Sequence, residues 1–244
     1  VKKIAIIGGS GLDNPDILKD PVEKEHNNKY GQPSSTLTCG KLSGVDVVIL
    51  SRHGKDHGIS PTKINYLANM RALKDEGCTH VLAATAVGSL RQEIKPGNLV
   101  FPSQFIDFTK HRNLTYYVDE VLHTPMSHPY DEHLTDVLCK ACDEMKYEYN
   151  RDVTVITIEG PRFSTKAESH MFRAWGADII NMSTCPEVIL ANELGIPYQT
   201  IAMSTDYDCW KDDEDPVTYE MILKRMKENA EKVKTLLIKV VGRI

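Results

Sequence analysis

The chain reads as an α/β protein whose sheet is mainly parallel or mixed, with helices on both faces. Three observations predict it. Apolar runs of strand length alternate with helically spaced segments from one end of the chain to the other. Several of the helical segments stop at a glycine, which ends a helix at little steric cost. Internal repeats and low-complexity linkers are absent, so a single domain over 1–244 is expected. Strands are predicted near 2–8, 45–51, 80–86, 98–106, 153–159, 177–181 and 198–204, and helices near 62–77, 131–147, 164–175, 185–194 and 216–240. Sheets of this kind bind ligands outside the carboxyl ends of their strands.

Taken in order, the strands end in unusual residues. The first, Ile4-Ala5-Ile6-Ile7, is uniformly apolar, as a buried strand is, and stops at Gly8-Gly9-Ser10-Gly11. A loop without side chains can turn its N–H groups toward an anion, and the Ser10 hydroxyl adds a donor. It matches neither G-x-G-x-x-G nor the lysine-containing loop of nucleoside triphosphate enzymes, so a plain tight turn explains it equally well. The second run, Val45 to Leu50, delivers Arg52 and His53 at its end. Val81 to Ala84 runs into Thr85-Ala86-Val87-Gly88-Ser89-Leu90, a small-residue loop that can bring backbone donors close to a ligand.

The later strands continue the pattern. Ile156 to Ile158 leaves through Glu159-Gly160-Pro161 and sets Phe163 and Ser164 before a helix, where an aromatic ring can stack on a flat ligand. Ala177 to Asn181 ends in Met182 and Ser183, just ahead of Pro186 and Glu187 at a helix start. Tyr198 to Met203 empties into Ser204-Thr205-Asp206-Tyr207-Asp208-Cys209-Trp210. Carboxylates two residues apart point the same way on a strand, and paired acids are costly unless used.

Composition excludes several classes. Hydrophobic residues at 41% and charged residues at 26% of 244 fit an ordinary globular protein, and the formal charge of -5 offers no basic footprint for nucleic acid or an anionic membrane. Position 1 leads directly into a strand and no 18-residue apolar stretch follows, so a cytoplasmic protein is expected rather than an exported or membrane-spanning one. Of the six cysteines, Cys139 and Cys142 form C-x-x-C inside a helical segment, with no second pair or histidine cluster to complete a metal site.

Together these segments resemble the trimeric purine nucleoside phosphorylase family, most closely its methylthioadenosine phosphorylase branch. The likeness rests on Ile6-Ile7-Gly8-Gly9-Ser10-Gly11-Leu12, Arg52-His53-Gly54, Asn65-Tyr66-Leu67-Ala68-Asn69, Ala86-Val87-Gly88-Ser89-Leu90, Gln104-Phe105-Ile106-Asp107, Glu159-Gly160-Pro161-Arg162-Phe163-Ser164, Asn181-Met182-Ser183 and Thr205-Asp206-Tyr207-Asp208-Cys209-Trp210. It covers nearly the whole chain.

The resemblance implies a three-layer α/β/α fold around a central mixed sheet. It implies phosphorolysis of S-methyl-5′-thioadenosine to adenine and 5-methylthioribose 1-phosphate. Phosphate is the co-substrate, and no metal or organic cofactor is implied. By the same likeness Ser10, Arg52, His53, Thr85, Ala86 and Ser183 ligate phosphate, Met182 lies beneath the ribose, His123 approaches its 5′ side and Phe163 packs along the base. The segment around Asp206, Tyr207 and Asp208 reads the purine, with Asp206 donating toward N7 and Asp208 accepting from the 6-amino group, or the two exchanging roles. Relatives directed to 6-oxopurines have Asn where Asp206 stands, and Ser164 also fits the adenine branch.

At the 5′ end, Ile222 and Leu223 keep the apolar character of a methylthio slot, whereas Tyr219 replaces a small apolar residue with a phenol that can bond a 5′-hydroxyl or water. Helical spacing puts all three on one face. The chain ends at Ile244, before the further segment through which many relatives close this slot from a neighbouring subunit. The resemblance further implies a homotrimer. The alternatives are a broader phosphorylase acting on adenosine or 6-oxopurine nucleosides, a hydrolase, and a non-catalytic nucleoside-binding protein on the same fold. The acidic run Lys211-Asp212-Asp213-Glu214-Asp215 is a solvated loop or a lid.

Overall fold

The computed structural model describes residues 2–9, 12, 17–211 and 219–244, the backbone alone at 219, 221–224 and 226. Its strands are β1 (Lys3–Gly8), β2 (Lys19–Lys24), β3 (Leu37–Leu42), β4 (Val45–Ser51), β5 (His80–Ser89), β6 (Leu99–Phe108), β7 (Tyr149–Ile158), β8 (Ile179–Asn181) and β9 (Tyr198–Tyr207). Its helices are α1 (Tyr66–Asp75), α2 (Glu132–Met145), α3 (Lys166–Ala174), α4 (Thr184–Glu193) and α5 (Tyr219–Val240).

Every strand expected from an apolar run is present. β2 and β3 were not expected. β2 (Lys-Asp-Pro-Val-Glu-Lys) is exposed throughout, an edge strand guarded by charge and proline, so it has no core face to leave an apolar signature. β3 turns back on β4 through Ser43 and Gly44, both at positive φ, in a two-residue hairpin.

The described strands form one nine-stranded mixed sheet in the order β2-β3-β4-β1-β5-β8-β7-β6-β9. β5 also pairs with β9, so β5, β8, β7, β6 and β9 close into a ring. Alternation sorts the apolar runs onto two cores. Ala5, Ile7, Val48 and Leu50 pack with α1 and α4, through residues such as Met70, Leu73, Val188 and Leu190. Ile4, Ile6, Val47 and Ile49 pack with α2 and α5, through Leu134, Leu138, Val233, Leu236 and Leu237. Burial on both faces is why these strands read as unbroken apolar runs.

Helix starts are capped by local sequence. Asn65 accepts from the Ala68 amide, Asp131 from the Leu134 amide, and Thr165 and Glu168 form a reciprocal capping box. Cys139 and Cys142 lie on α2 as free, buried thiols, and burial pushes the Cys142 thiol up to about 12. Among the described residues no helix is long and apolar enough to cross a membrane.

Candidate active site

The strand ends converge on one cavity of about 620 Å³. Of the expected anion ligands, Arg52, His53, Thr85, Ala86 and Ser183 all line it, together with Gly9. Ser10 lies outside the described residues, as do the side chains of Tyr219, Ile222 and Leu223 and the run from Asp212 to Asp215.

β4 and β5 bring the expected anion ligands together because β1 pairs with both in parallel and aligns their ends. Thr85 and Ser183, 98 residues apart, share a hydrogen bond of 2.8 Å between their hydroxyl oxygens. Arg52 is only 2% exposed, and its guanidinium is not a free cation. Its Nε and Nη2 both donate to Glu187, Nη2 to Oε2 at 2.9 Å, and Nη1 donates to the Ala84 carbonyl at 2.8 Å. Burial works against the charge, but Glu187 outweighs it and holds the guanidinium ionised.

His53 differs. Its Nδ1 lies 2.8 Å from the Ile59 carbonyl, an acceptor only, so that nitrogen carries the hydrogen and Nε2 is left as an acceptor. Burial first, and then the Arg52 charge, push the imidazole down to about 4, so it is neutral at neutral pH. His57 stacks nearby with its ring centroid 4.5 Å away and is lowered for the same two reasons.

The groups expected to face a base arrive on β9 and the segment after β7. Between the pairs Val87–Ser204 and Gly88–Asp206 the β5–β9 register shifts, leaving Thr205 as an extra residue. That bulge lets consecutive residues Thr205 and Asp206 both line the cavity, and Asp208 joins them. The Thr205 hydroxyl donates to Asp206 Oδ1 at 2.6 Å. Ser164 Oγ sits 2.8 and 2.7 Å from the two oxygens of buried Asp208 and donates to that carboxylate. Phe163 lines the cavity while 45% exposed, the lip position its place after Gly160-Pro161 suggested.

Met182 also lines the cavity. It is there because residue 160 is glycine: at φ +71, a Cβ on Gly160 would fall 2.5 Å from the Met182 sulfur. Behind it, Arg112 donates to the carbonyls of Cys185 at 2.6 Å and Glu159 at 2.8 Å and to the Tyr66 hydroxyl at 3.0 Å. Nothing in the sequence around Arg112 marks this role.

Two expected ligands are not among the residues that line the cavity of this chain. Tyr207 does not line the cavity, because strand alternation between Asp206 and Asp208 sends it the other way, where its hydroxyl donates to the Gln92 carbonyl at 3.1 Å. His123 is exposed on the irregular segment between β6 and α2 and does not reach the cavity within one chain. Sequence reasoning also missed Asn181 and Glu187 as site residues. Asn181 lines the cavity and is fixed at both ends of its amide, accepting from Thr157 at 2.9 Å and donating to Thr184 at 2.6 Å. Glu187 had a signal only as an acid following Pro186.

The profile of the phosphorylase superfamily matches residues 3–242. The chain belongs to that superfamily. This phosphorylase chain is 51% identical over 249 residues to the S-methyl-5′-thioadenosine phosphorylase of Xenopus tropicalis, a match spanning 99% of this chain and 89% of the relative. In three dimensions it is similar to Schistosoma mansoni methylthioadenosine phosphorylase in complex with adenine, with a TM-score of 0.96 and 38% identity over 100% of this chain and 92% of that one. A mutant of the same organism's adenosine/methylthioadenosine phosphorylase, solved with methylthioadenosine, gives a TM-score of 0.94 at 38% identity, covering 100% and 91%. The three-layer fold expected of a phosphorylase is therefore the observed one.

Proposed function

We infer that the protein cleaves S-methyl-5′-thioadenosine with inorganic phosphate, giving adenine and 5-methylthioribose 1-phosphate. One observation carries it: a single cavity holds both a set of anion ligands, with Arg52, Thr85 and Ser183, and a paired acidic set, Asp206 and Asp208 with Ser164. The relatives' names support the same substrate.

In this reaction a phosphate oxygen attacks the anomeric carbon as the C1′–N9 bond breaks and its electron pair passes to the purine. Positioning of the anion and relief of charge on the departing base supply the catalysis. Phosphate occupies the Ser10, Arg52, His53, Thr85, Ala86 and Ser183 side and stabilises the cation-like ribosyl ring. Met182 supports the ribose and Phe163 covers the base. The protonated carboxyl of Asp206 donates to N7 and is reprotonated from solvent. Asp208, held by the Ser164 hydroxyl, accepts from the 6-amino group, which a carboxylate attracts while it repels a 6-oxo group.

The second reading is one that accepts adenosine as well, favoured by the phenol at Tyr219 and by the double name of the Schistosoma mansoni neighbour. The proposal carries with it a cytoplasmic enzyme of one phosphorylase domain, needing neither metal nor organic cofactor and assembled as a homotrimer. Support for assembly comes from exposed apolar side chains on the segment that bears His123, notably Val118 at 80% and Val121 at 85% exposure.

Base release from methylthioadenosine, adenosine and inosine, each with and without phosphate, tests the proposal. Phosphate-dependent adenine release, fastest from methylthioadenosine, is expected. Equal rates from adenosine select the second reading, and release without phosphate would overturn both.

A further inference from the structure

Among the described residues, the charged side chains on the phosphate side of the cavity sum to zero where a dianion is to bind. Arg52 brings one positive charge and Glu187, at 1% exposure, brings one negative charge directly behind it. Three of the guanidinium's five N–H groups are committed, two to Glu187 and one to the Ala84 carbonyl, which leaves two for a ligand. Arg52 lines the cavity and Glu187 does not. The carboxylate is itself held from behind, since Tyr198 donates to Oε2 at 3.0 Å. Such a pair costs desolvation energy to bury, and a neutral side chain in place of both would fill the space at less cost.

We propose that Glu187 is a positioning residue of the phosphate site that aims the Arg52 guanidinium and cancels most of its charge, so that the anion binds weakly enough to exchange on each turnover. The proposal rests on the phosphate side of the cavity being where the preceding section puts it. A bidentate carboxylate fixes the plane of the guanidinium, and with it the direction of the two remaining N–H groups. It also opposes the incoming dianion through the low-dielectric interior. Without its charge, phosphate becomes the counter-ion of Arg52.

Initial rates with phosphate varied at saturating nucleoside, together with thermal unfolding with and without phosphate, test this in Glu187→Gln. The amide keeps the size of the side chain and one acceptor oxygen but loses the charge. The phosphate KM is expected to fall roughly tenfold. Stabilisation by phosphate should exceed that of the parent, with the nucleoside KM unmoved. A purely structural role would lower the melting temperature and leave the phosphate dependence of both readouts as in the parent, and that result, or a phosphate KM that rises because only the aim of Arg52 was lost, overturns the proposal.

Tyr198→Phe covers the case in which the amide variant does not fold. Removing the phenol leaves the Glu187 charge less compensated, so the phosphate KM should rise about two- to threefold. An unchanged value counts against the proposal. Thr85→Val and Ser183→Ala separate the two levels. Both should raise the phosphate KM if the anion site is correctly placed. If they do and Glu187→Gln does not lower it, only the role of Glu187 falls. If neither raises it, the site assignment falls and the proposal with it.

Discussion

Asp206 and Asp208 stand two residues apart, and each is served by a different hydroxyl, Thr205 for the first and Ser164 for the second. Their roles diverge accordingly. Asp206→Asn keeps the shape but removes the transferable proton, so turnover of adenine nucleosides should fall by about 10² or more, with inosine relatively favoured. Unchanged selectivity between adenosine and inosine would remove Asp206 from base recognition.

His53 makes a prediction of a different kind. Its pKa is pushed from an ordinary imidazole value down to about 4 by burial and then by Arg52, so between these values the unfolded chain takes up a proton that the native protein refuses. Stability from this group is therefore intact above about pH 6.5 and declines as the pH falls toward 4. Urea unfolding at a series of pH values should show that slope, reduced in His53→Gln. An unaltered slope in the variant would assign the acid sensitivity to another group. At this scale the sequence made the strand-end donors legible as residue types, but not their state. The neutrality of His53 depends on the Ile59 carbonyl, and the pairing of Arg52 on a glutamate 135 residues away.

The segment from β7 into α3 shows how an element places a side chain that it does not own. Gly160 at φ +71 clears space for the Met182 sulfur, while Glu159 accepts the amides of Lys110 and His111, at 2.7 and 3.1 Å. Burial alone would raise the Glu159 carboxyl; those amides and Arg112 bring it below its ordinary value instead. Gly160→Ala should cost about 1–3 kcal/mol in strain and displace Met182, raising the nucleoside KM more than the phosphate KM. Equal changes in both would mean that the strain spreads through the whole cavity. The Gly-Pro pair made this turn visible in the sequence, whereas the clash with Met182 required knowing that β7 and β8 are neighbours. The misplacement of Tyr207 has a similar origin. A motif carries several residues together, but a strand gives alternate residues to opposite faces.

For the whole molecule, the exposed segment between β6 and α2 matters most. Leu114, Val118, Val121 and Leu122 are all exposed there, next to His123. Under the proposed assembly a second copy covers them. Val121→Glu should shift the protein from a trimer toward single chains, read by light scattering, and reduce activity in proportion to the trimer lost. A variant that stays trimeric would put the contact elsewhere.

By itself the sequence determined the α/β class, the strands buried on both faces and the residue types at their ends, because burial leaves apolar runs and strand-end loops carry residue types that packing does not call for. The tertiary structure decided the rest: the exposed edge strand β2, the closing of five strands into a ring, the bulge that turns Thr205 and Asp206 into one cavity, and the Glu187 carboxylate behind Arg52. Each of these is a relation between segments far apart in the chain. Local propensity and periodicity extend over a turn of helix or a strand, and they carry no record of which distant partner satisfies a buried charge or closes a sheet.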